Sequence, residues 1–264
     1  MTNLGDNKRL KRAGAKESPA MMGFRRYERI FDAFSQDRPV WTISEIAEEF
    51  GRPASTIYRL FRELVHAGFL ESTVDAKYRL GPAFMEVERK IRLTDPLINA
   101  GNRYLSTLVE QAKLPGIGVL ARLYGNQVMC VNDHRTHDFT RQTSFERGRP
   151  MPILYGATSL AILAILPSRT RKKIIQHYTQ DEDHLADLKR HLSATRRIGI
   201  SIGHGMVDKG LVGIAAPVMQ RESGIFASVS FITDESTYSK ESPERLNRII
   251  ATHAALIKNH LQEQ

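Results

Sequence analysis

Apolar residues first fall into register at Phe24, Tyr27, Ile30, Phe31 and Phe34, a spacing that predicts an amphipathic helix ending before Pro39. Residues 1–22 ahead of it mix Gly, Ser, Pro and charge with no apolar period, and read as a disordered arm. A second helix is expected after Thr42, with Ile43, Ile46, Ala47 and Phe50 on one face and Gly51 as the turn that ends it. Pro53 suits the first turn of a third helix, whose stripe is Ile57, Leu60, Phe61 and Leu64 and which stops at Gly68. Residues 69–72 and 77–80 then alternate as two short strands around a turn at Val74, Asp75 and Ala76, closed by Gly81 and Pro82.

Farther along, residues 83–92 predict a connecting helix, apolar at Phe84, Val87 and Ile91 and charged at Glu86, Glu88, Arg89 and Lys90. Asp95 and Pro96 interrupt it, and another helix is expected over 97–112. Strands over 116–123 and 127–131 flank a hairpin turn at Gly125 and Asn126. Residues 157–166 are almost wholly apolar, which predicts a helix buried on all sides. Two polar helices over 169–178 and 183–197 come next, then strands over 212–219 and 225–232. A last helix over 243–260 carries the stripe Leu246, Ile249, Ile250, His253, Leu256 and Ile257, with Ser242 as its expected N-cap. Antiparallel-type strands mixed with helices give an α+β protein. The expected division is a basic arm at 1–22, a winged helix-turn-helix at 23–81, a linker helix at 82–96, and a second domain at 97–264 with an antiparallel sheet flanked by helices.

The segment between Thr42 and Leu64 carries the strongest chemistry. Two helices that meet at a short turn need a small residue on the first, Gly at the turn and apolar anchors on the second, which Ala47, Gly51, Ile57 and Leu60 supply. The leading half of the third helix then faces a DNA major groove with Arg52, Ser55, Thr56, Tyr58 and Arg59. Arg can fork onto a guanine edge, and Ser, Thr and Tyr can bond phosphates or bases. Lys77 and Arg79 on the hairpin are the expected phosphate contacts of a wing.

Charge supports that reading. The 264 residues hold 38 Lys and Arg against 29 Asp and Glu, a net charge of +9, which favours a polyanionic partner. Lys8, Arg9, Lys11, Arg12 and Lys16 cluster in the arm, with Arg25, Arg26 and Arg29 behind them. The composition, 41% hydrophobic and 25% charged, is that of a globular protein. No apolar run reaches the roughly 18 residues of a membrane-spanning helix, and no signal-peptide core follows the N-terminus, so the expected compartment is the cytoplasm. The one cysteine, Cys130, cannot form an internal disulfide and reads as a packed core thiol.

The run Phe50-Gly51-Arg52-Pro53-Ala54-Ser55-Thr56-Ile57-Tyr58-Arg59-Leu60, followed by Leu64, Gly68, Leu70 and Tyr78-Arg79-Leu80-Gly81, resembles the DNA-binding domain of the IclR family of bacterial regulators. The resemblance continues through Gly148-Arg149-Pro150-Met151-Pro152, Gly199, Gly210 and Ala215-Ala216-Pro217-Val218, and so spans roughly residues 24–262. It implies a winged helix-turn-helix joined to a GAF-like effector-binding domain, assembled as a homodimer or homotetramer, acting on a double-stranded operator under control of a small molecule. No cofactor is implied.

In family members that bind small keto acids, the effector's carboxylate meets backbone amides that align with Ala157 and Thr158. Amides at a helix N-terminus suit an anion. The family's side-chain contacts fall on Gly203, where an acid is usual, on Gly213 in place of a cysteine, on Ser230, which matches, and on Ile232 in place of a second serine. Met151, in the Arg-Pro-Met-Pro stretch that carries part of the resemblance, is counted to the same site. Two glycines where side chains are usual predict a larger cavity, and Ile232 a greasier one, which suits an aromatic or other bulky carboxylate.

Other chemistry is weaker. Gly199-Ile200-Ser201-Ile202-Gly203 fits the hydrolase nucleophile pattern, with His204 close by, and keeps open an esterase-like alternative through Ser201. That motif needs a strand before it and a helix after, the reverse of the expected order. Asp133, His134, His137 and Asp138 could contribute metal ligands but lack a recognisable third or fourth partner, so no metal is expected. A DNA-binding architectural protein without effector is the remaining alternative.

Overall fold

The computed structural model describes residues 19–178, 181–239 and 243–263, so residues 1–18 of the expected disordered arm over 1–22, and the Ser242 cap, lie outside the described residues. The chain divides between Thr94 and Asp95 into two compact units.

Unit 1 runs α1 (Pro19–Ala33), β1 (Trp41–Thr42), α2 (Ile43–Phe50), α3 (Ala54–His66), β2 (Leu70–Ser72), β3 (Lys77–Leu80) and α4 (Ala83–Thr94). Thr42 starts α2 through a reciprocal cap: its hydroxyl accepts from the Glu45 N–H at 3.3 Å while the Glu45 carboxylate accepts from the Thr42 N–H at 2.7 Å. Gly51 ends α2 in the left-handed conformation at φ 58°, which turns the chain into α3. Ile46, Ile57, Leu60, Phe61 and Leu64 then pack on Ile30, Phe34 and Trp41 in one core. The wing hairpin pairs as expected, with β3 between β2 and the two-residue β1, a third strand too short for alternation to reveal.

One expectation for unit 1 is corrected: α1 begins at Pro19, inside the segment expected to be disordered; it ends at Ala33, before Pro39 as expected. α4 covers the expected connecting helix, and at its start Phe84 sets its ring edge-on to Phe31 and Phe69, at 4.9 and 5.0 Å.

Unit 2 runs α5 (Pro96–Ala112), β4 (Gly116–Tyr124), β5 (Gln127–Arg135), β6 (Pro150–Pro152), α6 (Ala157–Ile165), α7 (Ser168–Tyr178), α8 (Glu182–Ile198), β7 (Ser201–His204), β8 (Leu211–Gln220), β9 (Ile225–Asp234), α9 (Glu235–Tyr238) and α10 (Pro243–Gln262). Six strands form an antiparallel sheet in the order β6-β5-β4-β9-β8-β7. Alternation along the strands splits the core between its faces. Leu120, Val212, Ile214, Val229 and Phe231 pack against α5 and α10. Val119, Ala121, Val128, Cys130 and Ile232 pack with α6, Ile174 of α7, and Leu188 and Leu192 of α8. The fold is therefore α+β, as the pattern predicts.

Apolar on every side, α6 is buried along Ala157–Ala164. Small side chains let it approach the sheet, with Ala157 and Ala161 on Ala215. Thr158 finds partners there: Ser230 Oγ lies 3.0 Å from Thr158 Oγ1, and the Ser228 hydroxyl donates to the Thr158 carbonyl at 2.9 Å, whereas the buried Ser159 hydroxyl has no partner among the described residues.

Candidate nucleic-acid interface and ligand cavity

The buried stripe of α3 leaves its opposite face in solvent. Arg52, Ser55, Thr56, Tyr58 and Arg59 are all exposed, Tyr58 at 53%, although it is a large aromatic with a full core beneath it. Pro53 caps α3 without a side-chain bond, so the first-turn amides meet no capping side chain and suit a phosphate. Among the described residues neither Arg52 nor Arg59 sits in an ion pair. Arg62, one turn beyond Arg59 and also exposed, belongs to the same face; its spacing of three from Arg59 is the signal that marks it.

The wing is less uniform. Lys77 is exposed beside a hairpin tip where Val74 is 79% exposed and Asp75 and Ala76 both have positive φ. Arg79 is exposed too, but its guanidinium is ion-paired with Glu71 on the facing strand, which reduces its availability to a phosphate. On α1, Arg29 covers the Phe50 ring at 4.9 Å and Arg26 bonds the Tyr27 hydroxyl at 2.8 Å, while Tyr27 in turn donates to Glu63 of α3.

In unit 2 a cavity opens at the N-terminus of α6. It is lined by Phe145, Gly156, Ala157, Thr158, Gly203, Met206, Val207, Asp208, Leu211, Gly213 and Ile232. Five of the positions singled out from sequence thus come together: Ala157, Thr158, Gly203, Gly213 and Ile232. Two do not line it. Ser230 is fully buried behind Thr158, and Met151 packs from β6 into the neighbouring apolar core. Gly156 precedes α6 without a side-chain cap, leaving its first amides to the cavity side.

At Gly203 the expected enlargement is taken up: a Cβ there would lie 2.7 Å from Met206 Sδ, so Met206 occupies the room that this glycine creates. A Cβ on Gly213 would meet only ordinary contacts, Ala157 Cβ at 3.5 Å and Ile232 Cγ1 at 3.9 Å, while one on Gly156 would lie 2.6 Å from Val207 Cγ2. About 30 Å³ of free space remains, the share of a single water molecule. Met206, Val207 and Asp208 come from the connection between β7 and β8. Its glycines mark a turn in the sequence, but no apolar period shows that it folds back onto α6.

The remaining candidates separate cleanly. Ser201 begins a strand that follows a helix, is 1% exposed, and bonds His191 Nε2 at 2.8 Å, not His204. His204 instead pairs with Glu235 at 3.0 Å. A hydrolase elbow has the opposite order and an exposed serine. Asp133 and His134 lie on β5, and no group of three metal-binding side chains forms among the described residues. No helix among them is long and apolar enough to cross a membrane.

A winged helix-turn-helix with an exposed recognition face in one unit, and an α+β fold with a small apolar cavity in the other, define a DNA-binding transcriptional regulator. Comparison with known proteins agrees. Residues 26–73 match the IclR helix-turn-helix domain and residues 96–259 the bacterial transcriptional regulator IclR C-terminal domain; the chain belongs to the IclR family. It is similar to the HTH-type transcriptional regulator KipR of Bacillus subtilis, 22% identical over 77% of this chain and 83% of that protein. Among solved structures it resembles an IclR family regulator from Brucella abortus (TM-score 0.75, 17% identity, 95% of each chain). It also resembles an IclR homolog from Microbacterium hydrocarbonoxydans complexed with 4-hydroxybenzoate (TM-score 0.74, 23% identity, 90% of this chain and 98% of the other).

Proposed function

We propose that this regulator binds a two-fold operator as a homodimer in the cytoplasm and that a small organic carboxylate in unit 2 changes its affinity for that site. The observation that carries the DNA reading is the outward face of α3, where Arg52, Ser55, Thr56, Tyr58 and Arg59 are exposed together above a sealed core. The test is fluorescence anisotropy on a duplex selected by the protein from a random pool. Arg52→Ala and Arg59→Ala should each weaken binding by about 1 to 3 kcal/mol and relax specificity at one base pair. Unchanged affinity in the double variant would refute the placement.

A second copy of the chain fits α4. None of its residues is buried, and Met85, Val87, Ile91 and Leu93 are 43% to 75% exposed, an apolar exposure unusual for an isolated helix. The two recognition helices of a dimer then address successive major grooves.

For the effector, uncapped amides at Ala157 and Thr158 favour an anion, and Phe145, Leu211 and Ile232 supply apolar walls. The 4-hydroxybenzoate held by the Microbacterium homolog has both properties and supports an aromatic carboxylate here. A coupling of about 1 to 3 kcal/mol between the two sites changes operator occupancy 5- to 150-fold. The near-filled cavity favours one rival, a DNA binder without effector; a rise in melting temperature with an aromatic acid separates the two.

A further inference from the structure

We propose that the segment between β7 and β8 is a stopper: Met206 and Val207 hold the cavity shut, an effector enters only by displacing them, and Asp208 on Ser144 is the latch. This rests on the effector reading above and specifies how that site is regulated.

Size decides the first point. A single benzene ring needs a cavity of about 150 Å³. The free space here is about 30 Å³, too little to enclose an aromatic ring with both side chains in place. Met206 Sδ and Val207 Cγ2 are the atoms nearest to where a Cβ on Gly203 and on Gly156 would stand. An unbranched, polarisable methionine is the side chain best able to leave such a site at small steric cost.

The segment is built to move as a unit and to be held until it does. Gly205 and Gly210 bracket it, with φ of 57° and 77°. Between them Asp208 accepts two hydrogen bonds from Ser144, from the backbone N–H at 2.9 Å and from the hydroxyl at 2.5 Å. Arg141 adds a bond to the Lys209 carbonyl at 2.9 Å and pairs with Asp234 at 3.0 Å. Backbone bonds from the Gly205 N–H to the Leu211 carbonyl at 2.8 Å and from the Leu211 N–H to the Asp208 carbonyl at 3.2 Å close the base of the loop. Among the described residues none of these contacts holds Met206 or Val207 to α6; the two side chains stay in the cavity through apolar contact, with the loop's own bonds and the latch behind them. Asp208 itself lines the cavity, and with its carboxylate turned to two Ser144 donors it is kept from meeting an incoming anion unpaired.

A ligand that must first displace the stopper binds with its intrinsic affinity reduced by the fraction of molecules already open. Loosening the latch therefore raises apparent affinity without touching any lining residue, which a simple preformed pocket does not predict.

The test uses the full chain labelled at its methionine methyl groups, titrated with benzoate, 4-hydroxybenzoate and pyruvate by calorimetry and by NMR. The Met206 signal is assigned from Met206→Ala. In the native protein an aromatic acid should shift that signal toward the position of free methionine. Ser144→Ala and Met206→Ala should each bind the aromatic acid about tenfold more tightly or better. Equal or weaker affinity in both variants overturns the stopper, wherever the Met206 signal goes, and leaves the effector reading standing if the native protein binds. If the native protein and both folded variants bind none of the aromatic acids, the effector reading falls and the stopper with it. Tight binding of pyruvate alone has the same result for the aromatic class and removes the size argument for displacement.

Discussion

Arg122 meets Asp95 at 2.6 Å, through the carboxylate oxygen that Asp95 does not use to cap α5. The other oxygen accepts from the Leu97 and Ile98 N–H groups at 2.9 and 3.1 Å, so one side chain both starts the helix and ties it to β4. Asp95→Ala should destabilise unit 2 by about 1 to 3 kcal/mol, the cap supplying most of it. Asp95→Asn keeps the cap and should lose less than about 1 kcal/mol, as should Arg122→Ala. Urea unfolding followed by circular dichroism checks the ranking, and equal losses for Asp95→Ala and Arg122→Ala would show that the cap contributes nothing.

Thr42 gives a parallel prediction in unit 1. Removing its hydroxyl should cost about 1 kcal/mol, read from the fluorescence of Trp41, the chain's one tryptophan, which is buried beside it. The Thr42 N–H, then its hydroxyl, with Arg38 adding to them, hold the Glu45 carboxyl below its ordinary range. A carboxylate whose pKa is lowered on folding contributes stability above the ordinary value of 4.5 and loses it as the pH falls through the folded pKa. Acid unfolding of unit 1 should therefore shift to higher pH in Glu45→Gln, approaching the pH dependence of the uncapped Thr42→Ala.

His191 has the same sign for a different reason. Burial lowers its pKa below the ordinary 6.5, because the charged ring would lose water without gaining an opposite charge. The unfolded chain then binds the proton more readily, so this contribution is complete above about pH 6.5 and declines as the pH falls toward the folded value. Unfolding midpoints measured between pH 5 and 8 should slope less in His191→Gln than in the native protein; parallel curves would contradict the burial of this ring.

Cys130 should be silent to thiol reagents. It is fully buried, and burial first, then the charge of Asp133, pushes its pKa up to about 12. Thiolate is the reactive form, so Ellman's reagent at pH 8 should label Cys130 only on unfolding, at a rate that follows denaturant. Fast labelling of the native chain would place Cys130 outside the core.

Long amphipathic stretches made the fold readable. The stripe Ile57, Leu60, Phe61 and Leu64 fixes both the core and the exposed face of α3, because a helix that buries one side must present the other. Short elements escaped: β7 is four residues long, and alternating Gly203 and Ser201 offer no hydrophobic contrast. The cavity was legible through the family resemblance, which placed it at Ala157 and Thr158 in the first turn of the buried α6. It was illegible where contacts are distant in sequence. Nothing near Val207 announces that it reaches Gly156 at the start of α6, since tertiary packing alone brings a loop side chain against a glycine so far away in the chain.

Helices α5 and α10 run side by side in opposite directions, with Arg245 near the start of α10 bonding the Gln111 and Ala112 carbonyls and His260 near its end stacked edge-on to Tyr104 at 5.9 Å. The last turns of unit 2 thus return to the side of its opening helix. Such a layout tolerates circular permutation: a short bridge across that seam, with new ends cut at the Gly125–Asn126 turn, preserves every layer of the core. Deleting α10 is the opposite case, because it strips one sheet face of Leu246, Ile250 and Ile257 at once and leaves a translation product bound for proteolysis.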